Sequence, residues 1–375
     1  MKDYSVIEQG PIRPPSEAGS LLLRVSRNCP WNRCLFCPVY KEKKFSRRTV
    51  EEVKNDIDEL AASIARLRNI VKDKGEDRST LRDIVQRNPS LMTAASWIYG
   101  GEHSVFLQDA DSLVLKTGDL VEIIDYLHQK IPGIGRVTTY TRSRTLSRKE
   151  IGELKQLRQA GLTRLHVGLE SGSDEVLEFV KKGVSSDQQI EGGQKAKEAG
   201  FILSHYVMPG LGGKDLWKEH ALETAKVINA VNPDYIRLRT LGIHPAAPLA
   251  GEYHQGNFVP LNDEEVVVEE KLLIENIEGV TSTLYSDHVL NLLEELQGVF
   301  PRDKEYMLGV AGEFLALPPE EQEMFCLGRR TGIYRFLEDR FEPSGRERVK
   351  KLLQELKQEG KDVNEFIREL MLRFL

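Results

Sequence analysis

The chain has 375 residues, 40% of them apolar and 29% charged, enough for one large domain and a smaller companion. Its net charge of −6 gives no overall electrostatic footprint for nucleic acid. No apolar run of about 18 residues, no signal-peptide core and only four cysteines argue against a membrane span, secretion and a disulfide framework, so a cytoplasmic protein is expected.

In chain order, a polar arm, residues 1–17, precedes the first apolar run at 20–27. Further candidate strands fall at 104–110, 136–142, 164–170, 202–208 and 235–241. Amphipathic helical patterns lie between them at 49–70, 117–129, 147–159, 187–197 and 216–230. Ser147 followed by Glu150 reads as a capping box, and Gly161 and Gly200 as helix C-termini. Residues 72–95 form a charged insertion, and 244–260 a Pro- and Gly-rich packed loop. After about residue 282 the strand signal ends, and short helices are expected, one starting in SDHVLNLLEEL. Strands each followed by a helix imply parallel pairing with helical crossovers. An open doubly wound sheet and a complete or partial barrel both fit this alternation.

Three of the four cysteines, Cys29, Cys34 and Cys37, stand within nine residues in CPWNRCLFC, directly after the first strand. In β/α folds that position is the C-terminal rim, where ligands bind. A structural zinc site needs a fourth ligand, and the nearest histidine in sequence is His103. A cubane iron–sulfur cluster held by three thiolates would instead leave one iron open. Cys326, alone in a helical pattern, reads as a buried structural thiol. The basic run Lys41, Lys43, Lys44, Arg47 and Arg48 follows the loop, and fits either a solvated loop or a local anion-binding patch.

A three-cysteine loop after the first strand of a six-fold β/α chain resembles the radical S-adenosylmethionine (radical SAM) superfamily. Phe36, just before the third cysteine, stands where that family favours an aromatic next to the adenine. SVFLQDADSL is similar to the family's second strand and its amino-binding turn, LHVGLESGSDEVLEFVKKG to the fourth strand and helix of its elongator and methylthiotransferase branches, and GFILSHYVMPGLGG to the fifth strand. The first cysteine gap is four residues where the family usually has three, which predicts a local bulge in PWNR. A literal Gly-Gly-Glu at residues 100–102 precedes its strand where the family motif follows it. The better match for that role is therefore Gln108, Asp109, Ala110 and Asp111, unless Trp97-Ile98-Tyr99 is the real strand.

The resemblance implies an α/β fold, a partial (β/α)6 TIM-type barrel of parallel strands over residues 18–260, with a helical C-terminal extension, 261–375. It implies a [4Fe-4S] cluster on Cys29, Cys34 and Cys37, and SAM chelated by the open iron. Reductive cleavage would give a 5′-deoxyadenosyl radical that abstracts hydrogen from substrate in an oxygen-sensitive reaction. Glu170 would lie by the SAM ribose or amino acid moiety. Tyr140, Arg142, His205 and Arg237 would face the lumen, where an arginine could meet the SAM carboxylate or an internal partner. His244 and His288 are candidates at the substrate side, with helix capping by Ser286 or Asp287 as the plainer account of the second. His166 fits a satisfied core histidine. The remaining cysteine count leaves no auxiliary cluster, and the short N-terminus no room for a cobalamin domain. The expected substrate is a small molecule and the expected reductant a flavodoxin or ferredoxin, with nucleic acid disfavoured. Action on RNA or protein, or a non-catalytic cluster or zinc protein, stands as the alternative.

Overall fold

The structure, a computed structural model, describes residues 7–74, 82, 83, 85, 89–100 and 103–374. It divides into two compact units, one built from residues up to 32, 42–167 and 195–202, the other from 33–41, 168–194 and 203 onward.

In the first unit, strands β1 (Leu21–Arg24), β4 (Ser104–Gln108), β5 (Arg136–Thr141) and the start of β6 (Leu162–Glu170) pair in that order, all parallel. Every residue of β4 is buried, the signature of a parallel strand covered on both faces. Helices α1 (Val50–Lys74), α2 (Pro89–Tyr99), α3 (Thr117–Lys130), α4 (Ser143–Arg148) and α5 (Ile151–Ala160) supply the cover. Trp97 to Tyr99 are helical, so the alternative strand there is excluded. Gly101 and Glu102 of the literal Gly-Gly-Glu, and much of the 72–95 insertion, lie outside the described residues. The expected capping box is displaced: Ser147 lies in the last turn of α4, and Glu153 accepts the backbone N–H of Glu150 at 3.1 Å to start α5. Two adjacent helices with a break at Lys149 replace the single one that periodicity suggested.

A two-residue antiparallel ladder, β2 (Ser26–Arg27) with β3 (Ser46–Arg47), closes the base of the cysteine excursion. The arm is docked through Glu17, which is fully buried. Its carboxylate accepts from the Ser20 hydroxyl at 2.5 Å and from Arg136 at 3.3 Å, with His166 at 3.6 Å. Burial pushes this carboxyl up, yet His166, Ser20 and Arg136 outweigh it and hold it below the usual range.

In the second unit, the end of β6 leads into α6 (Asp174–Phe179) and α7 (Ser186–Glu198, completed in the first unit). Strands β7 (Ile202–Val207), β8 (Tyr235–Leu238) and β9 (Thr283–Tyr285) are parallel, and β10 (Gly298–Val299) pairs antiparallel with β9. Helices α8 (Gly213–Val231), α9 (Leu249–His254) and α10 (Asp263–Asn276) intervene. Asn262 and Glu265 form a reciprocal capping box at the start of α10. Strands β9 and β10 correct the expectation that strands end near residue 282; at three and two residues they are too short for alternation to show. SDHVLNLLEEL is a series of turns, not a helix. Buried side chains satisfy its backbone surroundings: Ser286 donates to the Leu293 carbonyl, and Asn291 joins the Leu238 carbonyl to Thr240. The extension continues as α11 (Lys304–Leu315), α12 (Pro319–Arg330), α13 (Pro343–Gln358) and α14 (Val363–Met371).

Candidate active site

The first unit holds Cys29 at the start of the loop. Asn28, one residue earlier, adopts φ +67°, and Asn32 φ +47°. These left-handed positions turn the chain where asparagine tolerates it best among non-glycine residues. The Asn28 side chain donates to the Lys44 carbonyl at 2.7 Å, that of Asn32 to Lys43 at 3.3 Å. The Asn32 N–H points at the Cys29 sulfur, 3.4 Å away. Trp31, in the lengthened gap, lies against two guanidiniums, Arg142 at 5.0 Å and Arg144 at 5.6 Å from its ring centre. The expected bulge in PWNR is thus a stapled turn.

Behind the loop stands the turn after β4. Gln108 is buried, with its amide bonded to Gly10 and to the Ile12 carbonyl. Asp109, fully buried, accepts from Arg24 at 2.6 Å and from the Asn28 N–H at 3.0 Å. Asp111, also buried, accepts from the hydroxyls of Thr141 (2.9 Å) and Thr145 (2.6 Å). Burial pushes the Asp111 carboxyl up against these bonds. Ala110 is half-buried between them. Three of these four residues therefore place their side chains on the protein itself, which leaves the backbone of the turn as what it can offer a ligand. Tyr140 packs edge-on against Phe106 at 5.0 Å, with His166 at 5.9 Å.

The second unit holds Cys34 and Cys37, joined by a turn in which the Cys37 N–H bonds the Cys34 carbonyl. Lys41 donates to that same carbonyl at 2.9 Å. Leu35 is pinned on both sides of its peptide, its N–H to Val180 and its carbonyl from Leu249. Phe36 packs against two buried clusters, Leu35 with Leu249 and Phe258, and Val176 with Val180 and Leu211, with the Lys182 ammonium 5.6 Å from its ring centre. Glu170 ends β6 at φ +62° and pairs with Lys182 at 2.9 Å. Gly168 leaves the room: a Cβ there would lie 2.2 Å from the Glu170 carboxylate. Lys182 is a component of this group that sequence reading missed, because nothing in its spacing singles it out from its neighbour Lys181.

Of the remaining candidates, His205 is buried with neither ring nitrogen hydrogen-bonded, and burial lowers its pKa to about 4. Arg237 is paired with Asp287 at 3.1 Å and lies 4.7 Å over the Tyr285 ring. His244 accepts the Ala246 N–H and His288 the Leu290 N–H through Nδ1. Burial, with Arg239 and Arg330 nearby, lowers the His288 pKa to about 4, so it is a neutral imidazole. A further buried set went unread: His220 joins Ser171 Oγ (2.8 Å) to the Met208 carbonyl (3.1 Å), bridging the turns after β6 and β7.

The donor set suits an iron–sulfur cluster: Cys29, Cys34 and Cys37 are half-buried, none disulfide-bonded, and thiolate is the standard cluster ligand. Among the described residues, no three Cys, His, Asp or Glu side chains gather tightly enough to share a single ion; on a cubane, each thiolate takes an iron of its own. Residues 23–225 match the family model described as Radical SAM superfamily. Two curated relatives are tRNA uridine(34) acetyltransferases. That of Methanocaldococcus jannaschii is 26% identical over 116 residues, 31% of this chain and 21% of its own. That of Methanocaldococcus infernus is 27% identical over 128 residues, 34% of this chain and 23% of its own. The match thus spans under a quarter of those proteins. Among solved structures, methylornithine synthase aligns at 16% identity and a TM-score of 0.45, covering 78% of this chain and 69% of that one. With more than half its length matched by that family model, the chain belongs to the radical SAM superfamily, an α/β fold of the partial TIM-barrel type whose enzymes take a [4Fe-4S] cluster and SAM.

Proposed function

We propose that this radical SAM enzyme acts on RNA rather than on a small molecule. The observation that carries the reading is the stretch of about a third of the chain shared with two enzymes whose names specify a tRNA uridine. Bound SAM, cleaved reductively at the cluster, supplies a 5′-deoxyadenosyl radical for hydrogen abstraction. The chain's own residues bind and orient. Cys29, Cys34 and Cys37 would each hold an iron of the cluster. The turn Gln108–Asp111 offers backbone to the SAM amino acid, and Phe36 an aromatic face to the adenine. Glu170, held by Lys182, stands ready for a ribose hydroxyl or the amino group. His288 and His244, whose Nδ1 atoms each accept a backbone N–H, offer Nε2–H donors to substrate. The reduced thiols suit the cytoplasm, where a flavodoxin or ferredoxin would deliver the electron.

The small-molecule reading keeps one observation of its own. A cavity of about 180 Å³ in the second unit is lined by Leu241, Ile243, Tyr253, Val266 and Met371, among others. The deciding experiment is anaerobic reconstitution, reduction, and chromatography for 5′-deoxyadenosine in the presence of total tRNA or of a low-molecular-weight extract. Stimulation by tRNA alone supports the proposal; stimulation by the extract alone overturns it in favour of a small molecule.

A further inference from the structure

In the second unit, His220 of α8 stands behind the strand end that carries Glu170. It is buried, and both ring nitrogens are bonded. Nε2 lies 3.1 Å from the Met208 carbonyl, which can only accept, so Nε2 carries the proton and Nδ1 accepts the Ser171 hydroxyl at 2.8 Å. Ser171 Oγ in turn accepts the Ser173 N–H at 3.1 Å. The Met208 N–H donates to the Glu170 carbonyl at 2.9 Å. A closed circuit results: Glu170 to Met208 through the backbone, Met208 to His220, His220 to Ser171, and Ser171 back to Glu170 along the chain. Thr224, one turn further along α8, accepts the Gly172 N–H at 2.8 Å, so a single helix face holds the two residues that follow Glu170. From α10, Glu269 accepts the Gly210 N–H at 2.8 Å and lies 3.5 Å from His220 Nε2. Burial keeps both side chains neutral, raising the Glu269 carboxyl well above its usual range and lowering the His220 pKa to about 4. The brace therefore works through directed hydrogen bonds rather than charge.

The circuit encloses Glu170 at φ +62°. A left-handed glutamate is strained, persists only where its surroundings impose the conformation, and is most often found at functional sites. We infer that His220 is a positioning residue for SAM: through Ser171 and Met208 it holds Glu170 in the left-handed conformation that brings its carboxylate to Lys182. The inference rests on the placement of Glu170 at SAM proposed above, holds for an RNA or a small-molecule substrate alike, and adds the residue that sets that carboxylate. An apolar side chain would fill the space behind the strand ends equally well. A histidine bonded at both nitrogens also fixes the spacing of the two ends. The Met208 side chain packs on the same Val176, Val180 and Leu211 cluster as Phe36, so the circuit also reaches the wall on which that ring rests.

The test is a double-mutant cycle on the full, cluster-loaded chain. The SAM dissociation constant is measured by equilibrium dialysis without reductant, so that binding is read and cleavage is not. Glu170→Ala should weaken SAM about tenfold, as for one hydrogen bond to a charged group. His220→Phe, which keeps a ring but removes both bonds, should weaken it about fivefold. Added to Glu170→Ala, His220→Phe should cost less than about twofold more, because the carboxylate it positions is already gone. Unchanged iron content shows that each variant carries its cluster. If His220→Phe does not take up iron, Ser171→Ala, which removes only a hydroxyl, replaces it in the same cycle and is expected to be non-additive in the same way. Equal losses of SAM affinity with and without Glu170 overturn the inference, since a brace serving stability alone acts through no particular side chain. Unchanged SAM affinity in His220→Phe and in Ser171→Ala, with Glu170→Ala weakened, overturns it while sparing the placement of Glu170. Unchanged affinity in Glu170→Ala overturns that placement and this inference together.

Discussion

Asp109 connects two features that lie about eighty residues apart in the chain: the end of β4 and the residue before Cys29. Asp109→Ala would remove the acceptor for Asn28 and one of the two carboxylates around Arg24, leaving Glu8 at 2.9 Å. The expected loss is about 2 kcal/mol in urea unfolding, with lower iron uptake because the loop entry loses its anchor. Cys29→Ala, Cys34→Ala or Cys37→Ala should each abolish cluster assembly, and Cys326→Ala should not. Cys326 is buried, and burial drives its thiol well above the usual range, so it is no thiolate. Equal iron content in all four variants would refute the ligand assignment. The three cysteines stood out in the sequence because they fall within nine residues. Lys182, Arg144 and the nearness of Arg142 to Trp31 did not, because those partners are brought together only by folding.

At the level of elements, the turn after β6 depends on a missing side chain. A Cβ on Gly172 would lie 2.3 Å from the Glu223 carbonyl oxygen of α8, while the Gly172 N–H donates to Thr224 at 2.8 Å. Gly172→Ala should therefore destabilise by about 2 kcal/mol, read as a lowered melting temperature. It should also weaken SAM binding, since Glu170 sits two residues before. The long strands and helices were readable from their periods. The short strands β9 and β10 were not, nor the turns of 286–297, whose order comes from Ser286 and Asn291 bonding to distant carbonyls. A side chain that serves as a helix cap in one context serves as a loop brace in another, and the local sequence does not distinguish them.

For the whole molecule, buried titratable groups set opposing pH limits. Burial raises the Glu270 pKa to about 8, against Arg330, which lowers it. From about 4.5 to about 8 the unfolded carboxyl ionises while the folded one keeps its proton, so this contribution to stability is lost as pH rises through that window. His205 and His220, both lowered to about 4 by burial, act in the other direction. Their contribution is present above about 6.5 and is lost as pH falls toward 4. Between pH 6.5 and 8, denaturant midpoints should decline with pH in the wild type and decline less in Glu270→Gln; identical slopes would refute the assignment. The alternation of strand and helix was legible throughout, but its closure was not: parallel pairing follows from the pattern, whereas barrel or open sheet depends on registers that periodicity does not encode. Finally, Glu17 bears on how this protein can be shortened. A chain trimmed to begin at the first strand would keep Arg136, Arg164 and His166 but lose the Glu17 carboxylate they surround. Such a truncation, which looks harmless in a sequence alignment, should yield aggregated material, whereas a purification tag ahead of residue 7 leaves this cluster complete.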